Sequence, residues 1–338
     1  MILNTLRKKH LKKSILKLSD LEDFNSLSVA GFNFVESLNI IKNNKNKVLI
    51  NQMIRQLDKG EKISEILAIY LDNNIKSYLL SFMKFLPFKQ ALNLTMKIYK
   101  VEKSNKNKVI KELKYPLTML VTSIIALILF NFFAFDGLIE FAESFDQDLS
   151  NIYLLRNIVI VIVFSIFTLS ILGIIFWFFI KNQNKLITTY VILCNYIDLS
   201  FFVEFITADF MRFYYECYKV GLKTKDTINV LKSMSNKPLI AFIANNVENS
   251  LLSGQGLKEA IASKFIDNKL VRFINLATYT DGFDLMVKQY LENTDKQYYK
   301  RCQIITKIVT IFSYLMISSL IIIVYQIILI PLSIIGRI

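Results

Sequence analysis

A single histidine, His10, in 338 residues leaves acid–base chemistry little to work with. No Ser/His/Asp set, Cys/His set or His-Glu-x-x-His motif can be assembled, so the chain is expected not to be an enzyme and offers no catalytic residue. Cysteine is nearly as scarce. Cys194, Cys217 and Cys302 have neither disulfide nor metal-site spacing and are expected to be reduced, buried and small. No cofactor and no metal are expected. Gly254-Gln255-Gly256 lacks the glycine spacing and the Lys-Ser/Thr of a phosphate loop, and a helix terminus explains it.

Charge is absent from three long stretches. Leu117 to Phe135 and Asn157 to Ile180 contain no Asp, Glu, Lys, Arg or His, and neither does Ile308 to Ile330. As helices the first two reach roughly 28 and 36 Å, enough to cross a bilayer. The interruption between them carries Asp136, Glu140, Glu143, Asp146 and Asp148, and its only basic residue is Arg156.

The rest of the composition is consistent with three spans joined to sizeable polar regions. Hydrophobic residues make up 53% and charged residues 20%, with a mean hydropathy of +0.40. The net charge of +14 gathers beside the apolar runs: Lys103, Lys106, Lys108, Lys111 and Lys114 before the first, Lys181 and Lys185 after the second, Lys296, Lys300, Arg301 and Lys307 before the third. Basic flanks on one side fix orientation. The basicity is therefore read as topology, and no direct nucleic-acid partner is expected. Both polar regions are placed in the cytoplasm of a multi-pass cell-membrane protein, with residues 136–156 and the C-terminus outside. Arg7, Lys8, Lys9, Lys12 and Lys13 accompany no apolar core of signal-peptide length, so 1–19 is read as a cytoplasmic basic arm.

The polar regions show helical periodicity and no strand alternation. Ser19-Asp20-Leu21-Glu22 has the form of a capping box, and Asn33 with Glu36 repeats that start signal. Gly31 and Gly60 follow apolar helical faces as stops. Later in the chain Gly221 answers Gly31 and Gly254 answers Gly60. One register pairs Phe82 with Phe273, Leu94 with Leu285, Lys97 with Lys288 and Tyr99 with Tyr290, and carried forward it sets Leu117 over Ile308.

The fold class expected is an all-α membrane protein with two tandem cytoplasmic helical-bundle domains, made by internal duplication, and three transmembrane helices. The first domain spans 20–114 and the second 207–306, after a connector at 181–206. The transmembrane helices fall at 116–135, 157–180 and 308–330. The second span would return the chain so that both domains share one side. Gly31, Gly60, Gly221, Gly254 and Pro116 are the expected structural turns.

With its tandem helical domains, Tyr115-Pro116 before the first span, Arg212-Phe213 and the four glycine turns, the chain from about Leu21 onward resembles the type II secretion system protein F / PilC family. The competence-pilus members of Gram-positive bacteria are the nearest in length and composition. The resemblance implies an inner-membrane platform with a cytoplasmic hexameric assembly ATPase and pilin-like subunits as partners, alongside the lipid bilayer and further copies of itself. The chain departs from the family at Gly-Glu-x-x-Gly. Thr278 to Gly282 keeps only the final glycine and Pro87 to Ala91 keeps none, so no ion contact is carried over.

Candidate partner contacts are Lys59, Glu61 and Lys62, and Lys223, Lys225 and Asp226, charges beside glycine turns with no core role. A small membrane transporter or channel is the alternative, and behind it a membrane-bound enzyme. Against the transporter, no ionisable residue interrupts a span, and Asn131 and Gln326 are read instead as amides that hydrogen-bond between helices.

Overall fold

The computed structural model describes residues 15–144, 149–180, 183–196, 200–280 and 282–335. The arm with His10, Asp146, Asp148, Lys181 and Asp281 lie outside the described residues. Fifteen α-helices follow one another, with no strand among the described residues. They are α1 Leu18–Ala30, α2 Phe34–Ile40, α3 Lys47–Asp58, α4 Ile63–Tyr70, α5 Asn73–Phe82, α6 Phe88–Leu129, α7 Phe135–Glu143 and α8 Ser150–Ile180. After these come α9 Gln183–Tyr196, α10 Ser200–Lys219, α11 Thr224–Lys232, α12 Pro238–Leu252, α13 Leu257–Ile261, α14 Asn268–Thr280 and α15 Phe283–Ile335. A π-helical turn, Phe130–Ala134, joins α6 to α7.

Two compact units result. One combines the chain up to Ser104 with Leu186–Thr294, and the other combines Asn105–Lys185 with the chain from Asp295.

The first unit is a helical bundle around a single core. Phe24, Leu38, Ile50, Met53 and Phe82 from its early helices and Phe210, Phe213, Leu231, Ile243 and Leu270 from its later ones belong to one buried cluster. Local signals set many of its boundaries. Glu36 N–H donates to Asn33 Oδ1 at 2.9 Å and Asn33 N–H to Glu36 Oε2 at 3.0 Å, closing a capping box at the start of α2. Gly31, Gly60, Gly221 and Gly254 have φ of +110°, +82°, +82° and +86°, the left-handed geometry that ends α1, α3, α10 and α12.

The capping box expected at Ser19 does not form. Leu16 is buried and its N–H donates to the Tyr70 carbonyl at 2.9 Å, so a tertiary anchor starts α1 at Leu18 and places Ser19 inside the helix. The stretch after the second apolar run is also core: Tyr190 on α9 is buried and its hydroxyl donates to the Phe265 carbonyl at 2.8 Å.

The second unit contains three helices long and apolar enough to cross a membrane. Their side chains are largely uncovered; Phe164 and Leu169, for example, are each 67% exposed. A helix apolar on all sides and unburied by protein suits a hydrocarbon environment. The acidic interruption is mostly helical, since α7 follows the π turn directly and α8 begins at Ser150. Phe135, Ile139 and Ala142 of α7 bury against Ile323 and Ile327 of α15.

Pro116, expected among the turns, lies inside α6. Proline removes one backbone donor and disfavours the turn before it, yet the helix continues to Leu129. The carbonyl that loses a donor to Pro116 is that of Glu112, one turn back. The Thr118 hydroxyl separately donates to the Tyr115 carbonyl at 2.8 Å.

Of the two amides expected to bond between helices, Asn131 does so. Its Oδ1 accepts from Arg156 Nε of α8 at 2.7 Å. The buried Gln326 Oε1 has no partner among the described residues.

Candidate functional site

A cluster of charge in the helical unit joins early and late helices. Pro238 opens α12 and fixes its first turn, which leaves Lys237 at the N-cap. There the Lys237 ammonium lies 2.6 Å from Glu102 Oε1 and 2.9 Å from Asp209 Oδ2. Asp209 also receives Arg212 at 3.1 Å, one turn along α10. The Tyr78 hydroxyl of α5 donates to Glu102 Oε2 at 2.8 Å. Beneath these charges the Tyr78 and Phe213 rings meet edge to face at 5.1 Å between centroids. Asn236 donates to Asn74 Oδ1 at 3.1 Å beside them.

The electrostatics keep each group in its resting state. Burial alone would lower the Lys237 pKa, but Asp209 and Glu102 outweigh it and hold the ammonium above its ordinary value. Burial, reinforced by the Glu102 charge and hydrogen bond, raises the Tyr78 phenol. An ammonium and a phenol held protonated in this way suit a fastening, and they supply no activated nucleophile or base. Replacing Tyr78 with Phe leaves a Glu102 oxygen short of one donor. The expected cost is about 2 kcal/mol, read as a lower unfolding midpoint by circular dichroism.

A second link between early and late helices is Glu216, which pairs with Lys97 at 2.7 Å and with Lys219 at 2.5 Å. Lys97 is 51% exposed, so this link contributes little to stability.

The candidate partner contacts occupy the turns. Lys59 is the C-cap of α3, Lys62 the N-cap of α4 and Lys223 the N-cap of α11. Lys59, Lys62, Lys223 and Lys225 are exposed, whereas Glu61 and Asp226 are half-buried. Together with burial, the Glu61 charge raises the pKa of Tyr70. Sequence reasoning did not single out Glu102, Asp209 or Lys237. Only the i,i+3 spacing of Asp209 and Arg212 was legible, because the other partners come from helices distant in the chain.

The cysteines separate by environment. Cys217 is fully buried, and burial with the Glu216 charge pushes its thiol up to about 12. Cys194 is half-buried. A maleimide at pH 7 is expected to modify Cys194 at least about a thousandfold faster than Cys217, which has almost no thiolate and no access. Mass spectrometry after timed labelling checks this, and comparable rates would contradict it.

No protein-family model matches the chain, and no curated protein matches it either.

Proposed function

We propose that the protein is a membrane platform of a pilus-like assembly machine of the type II secretion and competence kind. In this reading a cytoplasmic hexameric assembly ATPase docks on the helical unit, pilin-like subunits are handled in the bilayer, and copies of the chain associate. The force comes from ATP hydrolysed by the partner.

The observation that carries the reading is the path of α6. The helix bearing Glu102, which the late helices grip through Lys237, continues without a break into the first apolar span. In this reading α6 is the continuous stretch of chain along which a load on the helical unit reaches the membrane. The exposed lysines 103, 106, 108, 111 and 114 just before that span favour a cytoplasmic start.

An internal duplication fits the helix order. The series α1 to α6 and the series α10 to α15 each place left-handed glycines after their first and third helices and end in a long helix entering an apolar span. In this reading the copies have diverged in packing. Leu94 is buried whereas Leu285, its counterpart in the register, is 53% exposed.

Co-purification with the assembly ATPase encoded in the same genome tests the proposal. Reversing Lys59, Lys62, Lys223 and Lys225 to Glu is expected to weaken association at least about tenfold and to abolish surface fibres. Unchanged association and fibres would refute this docking face. A reporter fused at Glu143 is expected outside the cell, and a cytoplasmic signal there would refute the orientation.

A further inference from the structure

Beside the π turn, α6 and α8 enclose a groove with a volume of about 380 Å³, with Ile323 of α15 at its edge. Leu127, Ile128, Phe132, Val163 and Phe167 make its walls almost entirely apolar. On α8 the lining runs from Arg156 to Ser170, about 21 Å at 1.5 Å per residue. One end is basic. Arg156 is held there by three contacts: Nε donates to Asn131 Oδ1 at 2.7 Å, the guanidinium carbon sits 4.1 Å from the Phe135 ring centre, and one terminal nitrogen lies 3.8 Å from Asp136.

Asp136 is 80% exposed and too distant for a hydrogen bond, so among the described residues neither terminal nitrogen of Arg156 has a hydrogen-bond acceptor. The π turn contributes directly, because it carries Asn131, which holds Arg156 at the groove end. Such one-turn widenings frequently occur at functional sites.

We propose that this groove binds one acyl chain of an anionic phospholipid, with the phosphate on the free face of the Arg156 guanidinium. Size selects the occupant. The lining is almost entirely apolar and extends about 21 Å along α8, a reach that a single hydrocarbon chain matches. The groove length exceeds the roughly 15 Å of hydrocarbon in one leaflet, so a chain whose headgroup lies at Arg156 stays within the groove throughout. Charge selects the headgroup: the guanidinium offers charge-assisted donors to phosphate oxygens, and phosphatidylglycerol carries the phosphate's negative charge without the compensating ammonium of phosphatidylcholine. The inference rests on the reading that these helices cross a bilayer.

Native mass spectrometry of the full chain in detergent, titrated with phosphatidylglycerol or with phosphatidylcholine of the same acyl chains, tests it. The wild type is expected to retain phosphatidylglycerol about tenfold better. Arg156→Gln should lose that preference while still binding both lipids. Val163→Trp, which fills the groove, should lose both, and Leu169→Trp, on an exposed position outside the lining, should behave as wild type. Equal retention of the two lipids by the wild type, or undiminished binding by Val163→Trp, would overturn the proposal. So would photo-crosslinking from position 163 in native membranes that yields a protein adduct in place of a lipid adduct. Fractionation of the wild type away from membranes would refute the bilayer reading itself; membrane residence without lipid preference would refute only this site.

Discussion

Phe213→Ala should lower the unfolding midpoint of the helical unit by about 10 °C, the largest single-residue effect expected in this protein. Phe213 is fully buried, and its ring packs on Tyr78 at 5.1 Å between centroids. Truncation removes the transfer free energy of the ring and leaves a cavity between helices more than a hundred residues apart in the chain. Phe→Ala changes of this kind cost about 3–5 kcal/mol. Circular dichroism of the full chain in detergent measures the midpoint. Phe213→Leu, which restores much of the volume, should recover more than half of the loss. A shift of less than about 3 °C for the alanine variant would mean that the early and late helices are not fastened through this ring.

Lys237→Met should cost about 3 kcal/mol, or about 8 °C, because it leaves Glu102 and Asp209 without their shared cation. The Lys237 side chain is 26% exposed, which places the cost at the lower end for broken buried pairs. Lys97→Met removes an equally short contact, to Glu216, but from a half-exposed position, and should cost less than about 1 kcal/mol. Equal effects of the two variants would contradict the distinction.

The same cluster sets an alkaline limit. The folded pKa values of Lys237 and Tyr78 are both raised, so their contribution is complete below the unfolded values of about 10 and is lost as the pH climbs beyond them. Wild-type stability should fall as the pH rises above about 10, and the Tyr78→Phe, Lys237→Met double variant should show a shallower fall.

Much of the local architecture could be read without coordinates. Gly31, Gly60, Gly221 and Gly254 punctuate helices because a left-handed residue costs glycine little, and the Asn33–Glu36 box satisfies its own backbone over four residues. Each effect acts within one turn of the chain. A distant group displaced one expected start: Leu16 bonds to Tyr70, and α1 begins before Ser19. Pro116 stayed within a helix in spite of its missing donor. The candidate contacts at Lys59 and Lys223 were legible only as charges beside turns, and nothing local distinguished Lys237 from the other lysines.

By itself the sequence determined an all-helical chain with three uncharged apolar runs, because helical periodicity, capping and hydrocarbon length are properties of contiguous residues. Only the tertiary structure decided that residues 16–104 and 186–294 share one core, that Lys237 closes on Glu102 and Asp209, and that Asn131 holds Arg156 at an apolar groove. Those depend on pairing groups tens to more than a hundred residues apart. A lysine, a carboxylate or an arginine carries no local mark of the partner that burial will bring to it.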